Sequence, residues 1–449
     1  MKPFKAVSRL SSRVQNFLFN RKRLNRFIRI LGPGLVTGAA DDDPSGIATY
    51  SQAGAGFGFS LLWAFPFMYP MLLAVQESCS RIGAVSGKGL AAVIKEHYSK
   101  KVLYGAVGLV VIANVINIGA DLGAMADALR LIIPLPFALL ATFFAITIVL
   151  LEIFVSYKTY TKVLKWLALV LFAYPITAFL VGQSWDVILK ATFLPQIKID
   201  FTTIYILVGM IGTTISPYLF FWDTAEVAEN QIISGRATLS GVRKPKITKS
   251  YLRGLRIDNF VGMTLTIVTA WFVVITCASV LNASGITEIK TAADAARALE
   301  PLVNNFPQSG LVAKLLFSIG IIGIGLLAVP VLAGSTSYAI SEVTGWKSGL
   351  HRKFKQAKLF YGVIAGATLV GLLINFSGID PIQALIFTAV FNGIAAVPLL
   401  ILIERIGNNN TIMGEYTNKT LSNILIRITF LVMFSGAVFL FYAMFTGKF

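Results

Sequence analysis

Eleven apolar runs, most of them close to 20 residues long, follow one another along the chain at about 30–58, 60–80, 102–130, 136–155, 161–182, 202–233, 257–281, 311–342, 359–376, 380–403 and 424–446. A bilayer core about 30 Å thick demands roughly 20 apolar residues of each crossing helix. Of the 449 residues, 56% are hydrophobic and only 13% charged, too few to wet the surface of a soluble domain. Barrel strands would alternate with a period of two, and no such alternation is sustained. The expected fold is therefore an all-α polytopic membrane protein with about eleven transmembrane helices, embedded in a lipid bilayer.

The net charge of +18 would fit a nucleic-acid partner if it lay on one face. Instead the basic residues sit between the apolar runs. Residues 1–29 carry nine Lys and Arg and no acid, and the connection 235–256 carries seven. This is the positive-inside pattern. It predicts a cytoplasmic N-terminus, an integral protein of a bacterial inner (plasma) membrane, and no nucleic-acid partner. Residues 1–29 lack the apolar stretch of a signal peptide and read as a basic cytoplasmic segment lying along anionic headgroups. The two cysteines, Cys79 and Cys277, stand alone in apolar runs, and the two histidines, His97 and His351, lie between runs. The spans thus contain no imidazole. No P-loop, His–carboxylate motif or His/Cys cluster points to an enzyme, and no cofactor is expected.

Inside the first run stands VTGAADDDPSG, residues 36–46. An aspartate in a lipid-facing helix costs roughly 2.5–3.5 kcal/mol, so Asp41, Asp42 and Asp43 must face protein, water or a cation. Pro44 and Ser45-Gly46 complete a sequence that unwinds a helix. The sixth run repeats the device: Ser216-Pro217 interrupts it, with Thr213 before the break and Asp223, Glu226 and Asn230 after it on one helix face. A pair of structural proline kinks would account for Pro217 but not for the aspartates. Interruptions in the first and sixth spans indicate a five-plus-five inverted repeat of the LeuT/APC type. Its substrate site lies at the two breaks, near Asp43–Gly46 and Thr213–Pro217. The repeats are expected at 30–182 and 202–403, with 424–446 an additional helix. The third span contributes Asn114, Asn117 and Asp121 on one face; Asn117 and Asp121 read as further site or pathway residues, Asp121 equally as a buried hydrogen-bonding residue. Asp127 and Arg130 read as a rim ion pair, and Glu77 and Glu152 as structural anchors.

These residues resemble the Nramp divalent-metal transporters. The likeness runs from Gly32 to about Leu90, through "GPG", "DPSG" where the family has Asp-Pro-Gly-Asn, "QAGAGFGFSLLW" and "SRIGAVSGKGLA". It continues more faintly at "GMIGTTISPY", where the family has Gly-Met-Leu-Gly-Ala-Thr-Val-Met-Pro-His. The resemblance places the family's metal-binding aspartate on Asp43. The family's asparagine falls on Gly46, its methionine on Ser216, and the alanine that offers a backbone carbonyl on Thr213. Its two histidines fall on Tyr218 and Asp223. Of its Asp-x-x-Glu proton route, Asp121 is kept and the glutamate falls on Ala124. The ninth span, LFYGVIAGATLVGLLINF, lacks the family's arginine.

Thioether and imidazole favour softer transition metals, whereas carboxylate, hydroxyl, carbonyl and water suit Mg²⁺, Ca²⁺ and Mn²⁺. The expected function is transport of a divalent cation, Mg²⁺ or Mn²⁺, partly hydrated, by alternating access with weak or no proton coupling. The expected site residues are Asp43, Gly46, Thr213, Ser216 and Asp223, with Asp41, Asp42, Asn117, Asp121, Tyr218 and Glu226 as additional candidates. The alternative is a carrier of the same fold for an organic or other solute. The sequence does not fix the oligomeric state.

Overall fold

The structure is a computed structural model that describes residues 37–38, 40–155, 169–196, 198–235 and 247–447. The basic segment 1–29, the start of the first span and residues 156–168 of the fourth connection and fifth span lie outside the described residues. Among the described residues, fourteen α-helices of eight residues or more carry the architecture. They are α1 (Pro44–Phe57), α2 (Ala64–Ser86), α3 (Leu90–His97), α4 (Lys100–Arg130), α5 (Phe137–Phe154), α6 (Ala173–Leu180) and α7 (Trp185–Phe193). They continue as α8 (Phe201–Thr214), α9 (Pro217–Ile233), α10 (Lys249–Val280), α11 (Ser309–Thr344), α12 (Lys358–Ile374), α13 (Pro381–Gly407) and α14 (Thr420–Thr446). No strand occurs among the described residues.

Local chemistry sets the helix ends. Ser99, Asp200, Thr248 and Asp380 each accept a backbone N–H of the first turn of α4, α8, α10 and α13, which satisfies donors that have no intrahelical partner. Gly87 and Gly345 close α2 and α11 with φ of 65° and 80°, where a side chain would be strained.

Eight helical segments among the described residues are long and apolar enough to cross a bilayer. The other expected spans are the first, of which α1 is the second half, the second, which is α2, and the fifth, which ends in α6. Two of the fourteen helices lie outside every expected span: α3 follows α2, and α7 precedes the sixth span. The unbroken α10 starts at Lys249, eight residues before the expected edge.

Burial ranks the spans. The α8–α9 window is 89% buried, whereas those of α5 and α14 are 33% and 28% buried. The sixth span is the centre of the bundle, and α5 and α14 face lipid. Lipid tails are as apolar as Leu, so helices associate through close packing of small residues. A Cβ on Gly212 of α8 would lie 2.4 Å from the Gly393 nitrogen of α13, and one on Gly119 of α4 would lie 2.7 Å from the Gly371 carbonyl of α12.

Spans one and six are both broken, one or two residues from where the sequence places the gaps. Thr37, Gly38, Ala40 and Asp41 are helical, Asp42 and Asp43 are not, and helix resumes at Pro44. In span six α8 ends at Thr214, Ile215 and Ser216 are non-helical, and α9 starts at Pro217. Gly46 and Thr213, expected in the unwound segments, are therefore helical. Proline is the reason: it lacks an N–H, is tolerated at the first helical position and starts each second half-helix there.

Candidate functional site

Asp43 stands in extended backbone (φ −70°, ψ 170°) as the N-cap of α1. Its Oδ1 accepts the Ser45 hydroxyl at 2.6 Å, the Gly46 N–H at 2.7 Å and the Thr213 hydroxyl at 3.5 Å. Its Oδ2 accepts the Asn117 amide N–H at 2.8 Å. One buried carboxylate thus joins span one to spans three and six. Ser45 and Thr213 lie 3.4 Å apart, and the Tyr50 hydroxyl meets that of Thr214 at 2.7 Å. Among the described residues, the side chains that bond Asp43 are two hydroxyls and one amide, with neither thioether nor imidazole among them.

The half-helices are tied across the break. The last carbonyls of a helix have no partner within it. Here the Tyr218 hydroxyl donates to the Ala40 carbonyl at 2.9 Å, and the Thr266 hydroxyl donates to that of Gly38 at 2.5 Å. Tyr218, a candidate from the sequence, is thus a strut between the second half of span six and the first half of span one. Ser216 also differs from its expected use. Its hydroxyl turns back onto the carbonyls of Gly212 and Thr213, at 2.8 and 2.7 Å. Thr213 reaches Asp43 through its hydroxyl, and its carbonyl already accepts Ser216.

Around this centre lie buried acceptors without a donor. Among the described residues, both carboxylate oxygens of Asp41 and Asp121, Oδ1 of Asp42, and the side-chain carbonyls of Asn114 and Asn117 have no hydrogen-bond partner. All five residues are 4% exposed or less. Asp121 is close enough to Asp43 for their charges to interact. Buried acceptors normally find donors, so an acceptor-rich, donor-poor pocket is chemically suited to a cation. Among the described residues no three His, Cys, Asp or Glu side chains gather as a metal cage. An ion at Asp43 would meet that carboxylate and the Thr213 hydroxyl, with the Asp121 carboxylate near enough for its charge to be felt.

Asp223 and Glu226 lie elsewhere. Asp223 accepts the hydroxyl of Ser80 on α2, and Ser80 in turn accepts the Asn259 amide of α10 at 2.7 Å. Nine residues separate Asp223 from Thr214, and about six helical rises of 1.5 Å separate it from Pro217. Asp223 Oδ1 and Glu226 Oε2 are buried without partners. Ser80 and Asn259 line a cavity of about 150 Å³, whose walls include Glu77, Arg81 and Arg256. Glu77 pairs with Arg256 at 2.7 Å and with Arg81 at 3.2 Å, which gives the expected anchor its partners. Asp127 and Arg130 lie 3.7 Å apart. Glu152 is buried, and among the described residues neither of its oxygens has a hydrogen-bond partner.

Sequence reasoning missed Glu229. It accepts the backbone N–H groups of Leu350 and His351 and the Tyr338 hydroxyl, and pairs with His351 Nδ1 at 2.9 Å. It holds the connection between α11 and α12 against α9. A lone glutamate at a span end carries no local signal for contacts more than 100 residues away. Ser80 and Asn259 escaped for the same reason.

The chain and its fold have relatives among known proteins. The chain is 24% identical over 427 residues to the divalent metal cation transporter MntH of Caldanaerobacter subterraneus subsp. tengcongensis, covering 93% of each. It is 25% identical to the protein of the same name from Clostridium acetobutylicum, covering 95% of this chain and 94% of that one. Its fold is similar to that of the Eremococcus coleocola manganese transporter, with a TM-score of 0.72 and 15% identity over 93% of this chain and 87% of that one. It is also similar to MhsT in complex with L-phenylalanine, with a TM-score of 0.61 and 13% identity over 91% of this chain and 98% of that one. The architecture is the LeuT-type five-plus-five inverted repeat with broken helices one and six. Residues 34–443 match the family described as natural resistance-associated macrophage protein-like. The chain belongs to the Nramp family.

Proposed function

We propose that this protein transports a divalent cation across the membrane, with Asp43 as the charged ligand at the centre of the site. The observation that carries the reading is the buried Asp43 carboxylate, held at the break of span one and in contact with spans three and six. The names of the relatives, divalent metal cation transporter and manganese transporter, support the substrate class. The donor set favours the ion: carboxylate, hydroxyl and carbonyl oxygens suit Mg²⁺ and Mn²⁺. Mg²⁺ usually keeps several waters, so a site with one carboxylate fits a partly hydrated ion.

Transport proceeds by alternating access, as the half-helices at Asp43 and Ser216 open to one side and then the other. The Tyr218–Ala40 and Thr266–Gly38 bonds break in the state that opens toward the first half-helix. The repeats are 30–182 and 202–403, with 424–446 outside them, and the N-terminus is cytoplasmic in a bacterial inner membrane. Proton coupling is weak or absent, because Ala124, Tyr218 and an α12 without arginine interrupt the family's route.

Reconstitution into vesicles loaded with a divalent-ion dye and a pH dye tests the reading. Mg²⁺ or Mn²⁺ entry that requires Asp43, without internal acidification, is the expected result. Entry unchanged in Asp43→Ala would overturn the assignment of the site. Cation-driven acidification lost in Asp121→Ala would overturn the uncoupled mechanism.

A further inference from the structure

The backbone at Gly46 is closely packed beside Asp43. A Cβ at Gly46 would lie 3.2 Å from the Thr213 hydroxyl and 3.3 Å from the Tyr50 ring. Thr213 occupies that side of Asp43. On the opposite side an asparagine arrives from another helix: Asn117 of α4, whose amide N–H bonds Asp43 Oδ2 at 2.8 Å.

Two features give this amide a role beyond holding Asp43. An ionised carboxylate only accepts, so the nitrogen of Asn117 must face it. Its carbonyl, Oδ1, then points away, buried and without a donor. The acceptor capacity of Asp43 is also uneven. Among the described residues, Oδ1 already takes three donors, whereas Oδ2 takes only Asn117. A carboxylate has about four lone-pair sites in all, so an incoming cation meets Asp43 at Oδ2, beside the amide.

We infer that Asn117 is a switching ligand for the transported divalent cation, donating to Asp43 when the site is empty and turning its carbonyl onto the ion when it is filled. The inference rests on the proposed function. The motion is a half-turn about the terminal amide torsion, which is broad and roughly two-fold. It puts Oδ1 where Nδ2 stood, 2.8 Å from Asp43 Oδ2. Neighbouring ligands of an octahedral ion with bonds of about 2.1 Å stand about 3 Å apart, so the two oxygens are already at the spacing of a shared ion. The amide supplies a neutral ligand from span three and adds no charge.

Calorimetric titration of purified protein with Mg²⁺, Mn²⁺ and Cd²⁺ tests this. Asn117→Leu removes both amide functions and should weaken Mg²⁺ and Mn²⁺ binding at least about tenfold. That loss alone would also follow from a merely structural amide. Asn117→Cys distinguishes the two, because a thiolate ligand should raise the Cd²⁺-to-Mg²⁺ affinity ratio about tenfold or more, whereas a structural role leaves the ratio unchanged. Wild-type affinities in Asn117→Leu, or a wild-type ratio in a folded Asn117→Cys, would overturn the inference while leaving Asp43 as the site. Absence of divalent binding by wild-type protein would instead remove the proposed function, and this inference with it. If Asn117→Leu does not fold, the ratio in Asn117→Cys decides.

Discussion

The two broken spans use the same backbone device and spend their side chains differently. In each a proline starts the second half-helix, and the residue before it is extended. In span one that residue is Asp43, which gathers donors from its own helix and from spans three and six. In span six it is Ser216, whose hydroxyl is consumed by the carbonyls just behind it. Backbone geometry therefore makes two openings, but only one presents a charge. The ion should be held from the span-one side, with span six supplying the Thr213 hydroxyl and the wall.

The largest effect should come from exchanging these roles. Asp43→Asn removes the charge that accepts from both Asn117 of span three and Thr213 of span six. A hydrogen bond to a charged group contributes about 1.5–3 kcal/mol, so divalent affinity should fall roughly ten- to a hundredfold. Ser216→Ala frees two backbone carbonyls and should leave affinity close to wild type. Calorimetry on both variants checks the pair, and a larger loss in Ser216→Ala than in Asp43→Asn would break the comparison.

A second difference lies in how the first half of span six is docked. A Cβ on Gly212 would lie 2.3 Å from the Ala389 carbonyl. Backbone stands on the far side, so the clash is not relieved by a rotamer change. Gly212→Ala should cost about 1–3 kcal/mol of overpacking, seen as a lowered unfolding temperature. An unchanged unfolding temperature would mean that α8 and α13 are free to separate at this crossing.

Ser216→Met sharpens the contrast chemically. A thioether cannot make the bonds back to Gly212 and Thr213, so it is released toward the break. The expected outcome is a Cd²⁺-over-Mg²⁺ preference raised about tenfold, measured by competition binding. No shift would mean that position 216 does not face the ion even when its hydroxyl is gone.

Much of this was legible in the chain because membranes leave few choices. Apolar length gave the spans, and aspartate and proline within them gave the breaks, since neither belongs in a lipid-facing helix. The displacement of the breaks has a local cause: Pro44 and Pro217 begin helices, so unwinding falls on Asp42–Asp43 and Ile215–Ser216. Helical spacing placed Asn117 and Asp121 on one face, but only tertiary packing sets Asn117 against Asp43. The same packing sends Asp223 to Ser80 on α2. Residue type marked Asp223 as polar in a span, and nothing in its neighbours marked which helix it would meet.

The smallest expected effect concerns the other aspartate cap of the broken spans. Asp200 does for α8 what Asp43 does for α1: its Oδ1 accepts the Thr203 N–H at 2.8 Å, and its Oδ2 the Thr203 hydroxyl at 2.9 Å. Asp200, however, is exposed. The Thr203 backbone N–H, followed by its hydroxyl, holds the Asp200 carboxyl below the usual carboxylate range. A group depressed in the folded state stabilises above its unfolded pKa, about 3.9 for Asp, and loses that contribution as pH falls through the lower folded value. Asp200→Ala should thus cost about 0.5–1 kcal/mol near neutral pH, the lower range for a cap in contact with water. Unfolding temperatures of wild type and variant should converge as pH falls below about 3.9. Divalent affinity should not change, because this cap touches no other span. A difference that persists at low pH, or a loss of cation binding, would show that capping alone does not separate Asp200 from Asp43.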